Sequence, residues 1–372
     1  MHSQPESRRL FVVTNKLMLI GPLPPPNGGA RISFQLFMDT FKRQGAPRFR
    51  HLDLPLRTKT RDGAIRDVAH FRTLIAVMKF LVRPGPFQDI WLFCSPGFGM
   101  TYGLLIVIMS KTRHRDVSIR FFGGHPYLRI RRFPEPYRKF VEKILGVTKN
   151  IVVETEVGRT EFPESLQRHL SVVPGYREPV DSGDIAGQSN NAVNREFNFY
   201  YAGLLSRDKG IDLLADAFDK ARQRLARLGV EAKLHLFGAA SNKSIESTIV
   251  REGIVNHGAV SHGELLAKIG EFNALVFPSV YRNEGHSGAI IEALMRAKPV
   301  ICFDIAGPAE IVRHNVNGLV IEYENVRKLE DAIVKLAQDV DLYRELSDNA
   351  LQGSRVFDVT VAVPKLVNAM SQ

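Results

Sequence analysis

The segment ALVFPSVYRNEGHSGAIIEALMRAKPVICF, residues 274–303, contains the pattern that decides the fold. It starts with an apolar run at 274–277, passes through a glycine-containing loop, continues as a helical pattern over about 289–297, and ends in a second apolar run at 299–303. Runs that are apolar on both faces are typical of parallel strands covered by helices. The segment therefore predicts a strand–helix–strand unit of a doubly wound α/β protein.

The same alternation of apolar runs and amphipathic stretches continues on both sides of this segment. Further strands are predicted at residues 10–13, 90–93, 117–122, 151–153, 197–201, 234–237 and 319–321. Helices are predicted at residues 32–41, 65–81, 211–228 and 329–336. Because 372 residues exceed what one hydrophobic core usually organises, we expect two domains.

The boundary between the two domains is predicted near residue 180. Residues 181–194, DSGDIAGQSNNAVN, are poor in large apolar side chains and rich in Gly, Ser and Asn, which is typical of a linker. The charge changes at the same place, because residues 1–180 hold 29 basic and 14 acidic side chains, whereas residues 181–372 hold 21 and 25. The cationic N-terminal half points to an anionic partner: nucleic acid, an acidic membrane or a charged substrate.

The sequence predicts neither export nor membrane insertion. The two cysteines, Cys94 and Cys302, lie far apart in apolar surroundings and offer neither a disulfide framework nor a metal-binding pair. The longest apolar run, residues 102–109, is about half of the roughly 20 residues that a spanning helix requires. We therefore expect a cytoplasmic protein.

The loop and helix of residues 278–297 have the features of an anion site. Backbone N–H groups in a glycine-containing loop and at the start of a helix, with Ser287 as its N-cap, attract a phosphate. Glu284 precedes this helix and Glu292 lies in its second turn. Carboxylates on both sides of a phosphate site suit a diphosphate that carries a sugar at one end and a ribose at the other. The alternative, two glutamates that face solvent, stays open at this point.

Residues 277–321, FPSVYRNEGHSGAIIEALMRAKPVICFDIAGPAEIVRHNVNGLVI, resemble the C-terminal signature of the family-4 retaining glycosyltransferases, or glycosyl transferases group 1. In this resemblance Glu284 and Glu292 are the two ends of the E-x7-E motif. Residues 201–218, YAGLLSRDKGIDLLADAF, are similar to the segment that opens the second domain of these enzymes. The resemblance implies a GT-B fold, in which two Rossmann-like domains face a central cleft.

The resemblance also implies the domain limits and the site. The expected limits are residues 1–180 with a crossover helix at about 357–372 for the acceptor-side domain, and 195–356 for the donor-binding domain. The implied catalytic residues are Glu284, Lys209 and His125. The implied donor-binding residues are Gly28, Gly29, Gly203, Arg207, Lys209, Gly238, Val260, Glu284, Gly285, His286, Ser287, Gly288 and Glu292.

Several of these residues have an alternative interpretation or depart from the family pattern. Gly28 and Gly29 end a Pro-Pro-Pro-Asn-Gly-Gly run that by itself predicts only a turn, and His125 is nearly as well explained as a residue packed by its neighbours. Many relatives carry arginine directly after the glycine that corresponds to Gly203, but this chain has Leu204. Arg207, in the same loop, is the candidate substitute.

No cofactor and no metal are expected. Asp339-Val-Asp341 matches a metal-binding Asp-x-Asp pattern, but it lies between two predicted helices and is better explained as a surface pair. The resemblance implies metal independence, with a UDP- or GDP-linked sugar as substrate. The glycines of residues 95–103, SPGFGMTYG, have the wrong spacing for a dinucleotide fingerprint and predict a loop.

Residues 129–143, RIRRFPEPYRKFVEK, concentrate cations next to aromatic side chains. A helix from about Pro134 with this composition suits the interface of an acidic membrane. Alternatively, Phe140 and its apolar neighbours face the core while the cations are solvated. Nucleic acid is not an expected partner, because no recognisable reading module is present.

The resemblance implies transfer of a sugar, with retention of anomeric configuration, from a nucleotide sugar to a saccharide or lipid-linked glycan. We expect such an enzyme in cell-surface polysaccharide or lipopolysaccharide biosynthesis, on the cytoplasmic face of a membrane. Two alternatives stay open at the level of sequence: a nucleotide-sugar epimerase of the same fold, and a non-catalytic basic binding protein.

Overall fold

The computed structural model describes residues 16–24, 28–53, 75, 77, 79, 87–180 and 196–372. The chain forms two compact units, one of Met1–Pro174 with Val359–Gln372 and the other of Gly175–Asp358. Each unit contains a six-stranded sheet among its described residues. The predicted linker at 181–194 lies outside the described residues, and the two units divide between Pro174 and Gly175.

The sheet of the first unit is entirely parallel in the order β2-β1-β3-β4-β5-β6. Its strands are β1 (Leu17–Gly21), β2 (Phe49–Asp53), β3 (Asp89–Cys94), β4 (Asp116–Phe121), β5 (Asn150–Val153) and β6 (Leu170–Val172). Its helices before residue 175 are α1 (Gly29–Arg43), α2 (Pro96–Phe98), α3 (Leu104–Lys111), α4 (Pro126–Arg131), α5 (Glu135–Leu145), α6 (Glu156–Thr160) and α7 (Glu164–Gln167). A π-helical turn, Gly99–Gly103, joins α2 to α3, where a loop was predicted.

Aromatic side chains pack α1 against this sheet. Phe34, Phe37 and Phe41 recur at the spacing of one helix face, and all three are fully buried. Phe37 and Phe34 contact Phe93 of β3 with ring centroids 4.7 and 4.8 Å apart, and Phe41 contacts Trp91 at 5.6 Å. This contact fixes the position at which α1 begins relative to the end of β1.

The second unit has a parallel sheet in the order β12-β11-β10-β7-β8-β9. Its strands are β7 (Glu196–Ala202), β8 (Glu231–Phe237), β9 (Ile254–Gly258), β10 (Ala274–Phe277), β11 (Val300–Phe303) and β12 (Gly318–Ile321). Its helices are α8 (Ile211–Arg227), α9 (Lys243–Thr248), α10 (His262–Lys268), α11 (Gly288–Leu294), α12 (Ala306–Ile311), α13 (Val326–Gln338) and α14 (Val340–Gly353). In this doubly wound sheet the strand order reverses between β7 and β10.

The predicted strands with continuous apolar runs are confirmed wherever the structure describes them. Those at 90–93, 117–122, 151–153, 197–201, 234–237, 274–277, 299–303 and 319–321 each overlap an observed strand. The predicted strand at 10–13 and most of the helix at 65–81 lie outside the described residues. The sequence analysis missed β1, β2, β6 and β9.

The helix predicted at 289–297 is shorter than expected. It spans Gly288–Leu294 and ends before Pro299, because Ala297 takes a left-handed conformation with φ 55°. Ser287 occupies the N-cap position with extended backbone, but its side chain makes no capping hydrogen bond. The Asp-x-Asp pattern spans the start of α14. The Asp339 carboxylate accepts a hydrogen bond from the Leu342 amide at 2.9 Å and so caps α14, and Asp341 lies in the first turn of that helix.

The last helix, α15 (Val359–Ser371), belongs to the first unit. The Ser118 hydroxyl donates to the Met370 carbonyl at 2.8 Å, and Lys149 Nζ donates to the Ser371 carbonyl at 2.6 Å. These bonds connect the end of the chain to strand β4 and to the start of β5. None of the helices in the described part of the chain has the length and apolar character needed to span a bilayer.

Candidate active site

The predicted donor residues of the second unit gather at the carboxyl ends of its strands. The loop after β7 contains Gly203–Lys209, and the loop after β10 contains residues 278–287. Strands β7 and β10 are neighbours at the point where the strand order reverses. In open α/β sheets this switch point is where ligands bind, because adjacent loops turn to opposite faces and leave a crevice.

Glycines let the loops of this edge approach one another closely. Gly210 has φ 68°, and a Cβ there would lie 1.9 Å from the Pro278 carbonyl oxygen. Gly238 has φ 153°, and a Cβ there would lie 1.8 Å from the Gly203 carbonyl oxygen. Larger residues would therefore separate these loops. Gly238, predicted as a donor contact, has a packing role that is sufficient to explain its identity.

Lys209 and Glu284 form an ion pair across the two central loops. Lys209 Nζ donates to Glu284 Oε2, and the same oxygen accepts a hydrogen bond from the Ser279 hydroxyl at 2.8 Å. The lysine also lies over the Tyr281 ring, with Nζ 5.3 Å from its centroid. The Lys209 side chain is 22% exposed and that of Glu284 15% exposed, so both can still be reached by a ligand. Two of the three predicted catalytic residues are thus in direct contact.

Arg207 lies in the same loop but has a different environment. Its side chain is 79% exposed, and its Nε lies 3.5 Å from Asp212 Oδ2. Leu204, which stands where relatives carry arginine, is also exposed. Arg207 is therefore an exposed surface cation in this loop, in contrast to the partly buried Lys209, and its substitution for the missing arginine stays a prediction.

Glu292 is buried in α11 and held by two donors. Its Oε1 accepts hydrogen bonds from Arg177 Nε at 2.6 Å and from His262 Nε2 at 3.0 Å. Burial acts to raise the pKa of Glu292, but the hydrogen bond from His262 and the charge of Arg177 outweigh it, so the pKa lies below its ordinary value. With its side chain only 6% exposed, Glu292 does not face solvent, and that alternative interpretation is wrong.

The sequence analysis did not identify Arg177 or His262 as site residues. Arg177 is 115 residues away from Glu292 along the chain, and no local spacing relates the two. His262 begins α10 directly after the Ser261 cap, close to the predicted contact residue Val260, which is partly buried against the core. Of these two residues, only His262 could have been predicted from the sequence. It begins the helix that follows strand β9, at the carboxyl edge of the sheet.

The residues between the two glutamates are closely packed. The His286 side chain is only 5% exposed, its Nδ1 accepts a hydrogen bond from the Gly175 amide at 3.2 Å, and its Nε2 lies 3.5 Å from Glu310 Oε2. A Cβ at Gly288 would lie 1.5 Å from an Arg177 guanidinium nitrogen. Gly288 therefore accommodates the arginine. Gly307 of α12 likewise packs closely against the Gly285 carbonyl oxygen, because a Cβ on Gly307 would lie 2.2 Å from that oxygen.

The remaining predicted residues belong to the first unit. His125 precedes α4, and its Nδ1 lies 2.6 Å from Glu161 Oε1, with both side chains 14% exposed. Gly28 and Gly29 are exposed where α1 begins, and no residue that the structure describes lies within 4 Å of a Cβ at either position. Their assignment to the donor stays a prediction. Within the part of the chain that the structure describes, no three His, Cys, Asp or Glu side chains are grouped as a metal would require.

The comparisons with known proteins find similarity to glycosyltransferases. Residues 196–339, all within the second unit, match the family model described as Glycosyl transferases group 1. An uncharacterised glycosyltransferase of Methanocaldococcus jannaschii is 29% identical over 178 residues, which cover 45% of this chain and 48% of that protein. The chain thus spans about half the length of this curated relative.

Solved structures show the same fold over almost the whole chain. HepE of Anabaena, in complex with UDP and glucose, superposes with a TM-score of 0.70 and 16% identity, covering 96% of this chain and 100% of its own. WaaG, a glycosyltransferase involved in lipopolysaccharide biosynthesis, superposes with a TM-score of 0.62 and 14% identity, covering 95% and 99%. The predicted fold class, GT-B with two Rossmann-like domains, is confirmed.

Proposed function

We propose that the protein is a glycosyltransferase that moves a sugar from a UDP- or GDP-linked donor to a saccharide or lipid-linked glycan acceptor. The observation that carries this proposal is the Lys209–Glu284 pair at the switch point of the second sheet. A cation and a carboxylate in contact suit the two parts of a nucleotide sugar, since Lys209 can meet the diphosphate while Glu284 accepts hydrogen bonds from sugar hydroxyls. The family match of residues 196–339 supports the same activity.

The cations of the site suit cleavage of the bond between the sugar and the diphosphate, because that cleavage leaves negative charge on the diphosphate. When the acceptor hydroxyl oxygen attacks the anomeric carbon, the bond from that carbon to the diphosphate oxygen breaks and its electron pair stays on the diphosphate. Lys209, and Arg207 from the same loop, meet the negative charge that develops there. The proton of the acceptor hydroxyl passes to the departing diphosphate oxygen.

We assign Glu284 and Glu292 to the two ends of the E-x7-E motif of family 4, with retention of anomeric configuration and no requirement for a metal. The ion pairs of both glutamates support hydroxyl-binding roles, because each carboxylate is already engaged by a cation. A glycosidase-like nucleophile would instead need a carboxylate placed beside the anomeric carbon. His125 is assigned to hydrogen bonding with the transferred sugar.

We infer from helix α5 that the protein makes peripheral contact with the cytoplasmic face of an acidic membrane. Phe140 is 45% exposed and Val147, just beyond the helix, is 44% exposed, so neither faces the core. Lys139 and Lys143 are exposed on the same helix. An apolar side chain among cations suits the headgroup region of an anionic bilayer, where a lipid-linked acceptor would be found.

Vesicle flotation tests the membrane contact. The full chain should float with vesicles that contain acidic phospholipid and stay in solution with neutral ones, and the triple change Lys139→Ser, Phe140→Ser and Lys143→Ser should abolish flotation. The matched change Lys220→Ser, on the exposed face of α8 in the other unit, should leave it unaltered. Equal flotation of the triple variant would contradict this assignment.

Release of nucleoside diphosphate from a panel of UDP- and GDP-sugars, with and without a membrane extract as acceptor, tests the activity. We expect acceptor-dependent release that survives a chelator and is abolished by Glu284→Gln. The control Glu246→Gln changes an exposed glutamate of α9 and should retain activity. An isomerised donor without acceptor would favour an epimerase, and failure to bind any donor would favour a non-catalytic binding protein.

A further inference from the structure

A histidine and a glutamate are in contact at the carboxyl edge of the first unit's sheet. His125 ends the loop after β4, directly before α4, and Glu161 directly follows α6. His125 Nδ1 lies 2.6 Å from Glu161 Oε1, and each side chain is 14% exposed, so a ligand can still reach the pair. The proposed function assigns His125 a hydrogen bond with the transferred sugar and gives Glu161 no role.

Hydrogen bonds from the residues after β5 fix the backbone that leads to His125. The Gly123 amide donates to Glu154 Oε2 at 3.0 Å, and the Thr155 hydroxyl donates to the Gly124 carbonyl oxygen at 2.6 Å. Glu154 and Thr155 are both buried. Because the two residues before His125 are held in this way, the orientation of its ring depends mainly on its own side-chain torsions.

The contact with Glu161 determines which nitrogen of the His125 ring carries the proton. An ionised carboxylate only accepts hydrogen bonds, whereas a neutral imidazole donates from one nitrogen and accepts at the other. The ring nitrogen 2.6 Å from Glu161 Oε1 is therefore the donor. With the proton on Nδ1, the lone pair of the neutral ring is on Nε2, which can accept a hydrogen bond.

The surroundings of Glu161 oppose rotation of the ring away from it. Glu161 Oε2 is buried and accepts no hydrogen bond from any residue that the structure describes. A carboxylate in such surroundings has lost much of its solvation, so loss of the hydrogen bond from His125 costs more than it would at the surface. The contact therefore fixes both the tautomer of the ring and its direction.

We propose that Glu161 is a positioning residue that holds His125 as the Nδ1–H tautomer, with Nε2 as the acceptor for a hydroxyl of the substrate. A carboxylate that acts through a histidine orients the ring and selects its tautomer without touching the substrate. This inference rests on the proposed function, because it requires a substrate hydroxyl at His125. It gives a role to a residue that the sequence analysis did not consider.

NMR of the imidazole nitrogens in the full chain, with its histidines isotopically labelled, tests the tautomer without any substrate. The His125 signals are identified by their absence in His125→Ala. At neutral pH the wild type should show a protonated Nδ1 and an unprotonated Nε2. Glu161→Gln should move a large part of the population to the Nε2–H tautomer, because a glutamine amide can donate to Nδ1.

The matched control is a glutamate of the neighbouring helix. Glu156 lies in the first turn of α6, is exposed, and pairs with Arg159 at 2.8 Å. Glu156→Gln should therefore leave the nitrogen signals of His125 unchanged. If Glu161→Gln does not fold, the tautomer of the wild type and the variant Glu161→Asp, which retains the carboxylate, still decide.

A double-mutant cycle tests whether Glu161 acts through His125. With an accepted donor and acceptor, Glu161→Gln should lower kcat/KM by about tenfold, as expected for loss of one oriented hydrogen bond, and Glu161→Asp should lower it less. In the His125→Ala background, Glu161→Gln should lower kcat/KM by less than about twofold, because no ring remains to be oriented. A glutamate with a merely structural role would lower kcat/KM by the same factor in both backgrounds.

The outcomes separate this inference from the proposed function. A wild type protonated on Nε2, alone or together with Nδ1, overturns the inference and leaves the proposed function intact. Equal losses of kcat/KM from Glu161→Gln in the two backgrounds do the same. A wild type that turns over no nucleotide sugar overturns the proposed function, and the role of Nε2 toward substrate fails with it, whichever tautomer is measured.

Discussion

The carboxyl edges of the two sheets are built differently. In the second unit the edge holds two carboxylates that are each paired with a cation, Glu284 with Lys209 and Glu292 with Arg177. In the first unit the corresponding edge carries an open glycine turn at Gly28, whose Cβ position is empty, and its one predicted catalytic residue is a histidine that contacts a glutamate.

Under the proposed function, this difference predicts how the two units divide recognition. Mostly buried, paired charges hold a ligand in one geometry. They suit a chemical group that is the same in every donor, such as the diphosphate and ribose of a nucleotide sugar. We expect the more open edge of the first unit, with its exposed Gly28, to accept partners that differ in shape. We therefore expect changes in the second unit to alter donor binding and turnover, and changes in the first to be better tolerated by the fold.

The largest effect is expected from loss of the cation at the switch point. Lys209→Met should lower kcat by about 10² to 10³-fold, because the charge that develops on the leaving diphosphate loses its nearest fixed cation. Lys220→Met, on the exposed face of α8, is the matched control and should lower kcat by less than about twofold. Steady-state kinetics with the accepted donor measure both. Unchanged kcat in Lys209→Met would show that the second unit does not stabilise the leaving group through this residue.

A substantial effect on stability is expected at Gly288. A Cβ there would meet the buried Arg177 guanidinium, which cannot move without leaving Glu292, so Gly288→Ala should reduce the free energy of unfolding by about 1–3 kcal/mol. Gly263→Ala is the control, because its Cβ position in α10 is open and alanine favours a helix. Urea denaturation compares the two. A Gly288→Ala protein as stable as Gly263→Ala would contradict the packing described for Arg177.

A smaller, pH-dependent effect is expected at His235. Burial, together with the charge of the neighbouring His257, lowers the pKa of His235 to about 4. His235 Nδ1 lies 3.0 Å from His257 Nε2. Because the unfolded chain binds the proton more readily, with a pKa of about 6.5, stability is fully present above that pH and falls as the pH drops toward 4. The wild type should therefore lose more thermal stability between pH 7 and pH 5 than His235→Gln. Parallel losses in the two proteins would rule out this contribution.

The smallest effect on stability is expected in the first unit. Gly29→Ala should leave the free energy of unfolding unchanged or raise it by up to about 1 kcal/mol, because none of the described residues lies within 4 Å of the Cβ position and glycine is unfavourable in a helix. The donor KM should nevertheless rise severalfold if this backbone approaches the donor as the family resemblance implies. An unaltered donor KM would contradict a donor contact at Gly29 and would indicate that the second unit alone recognises the donor.

Three of the four strands that sequence analysis missed have a common physical cause, whereas the fourth, β1, lies inside its sheet. Strands β2, β6 and β9 lie at the edges of their sheets, where one side has no neighbouring strand. They are partly exposed and carry polar residues such as His51 and Asn256, so they lack the continuous apolar run by which buried parallel strands are recognised. The central strands, β10 above all, have such a run because both of their faces are covered.

The sequence by itself determined the two-domain α/β architecture, the central strands, the loops that carry Lys209 and Glu284 and the helix that carries Glu292, because each of these depends on a local pattern of apolar residues and glycines. Only the tertiary structure decided that Glu284 contacts Lys209 and that Glu292 contacts Arg177 and His262. These contacts join residues 75, 115 and 30 positions apart, and they depend on which strands lie side by side. Strand order is a property of the folded sheet that no local pattern encodes.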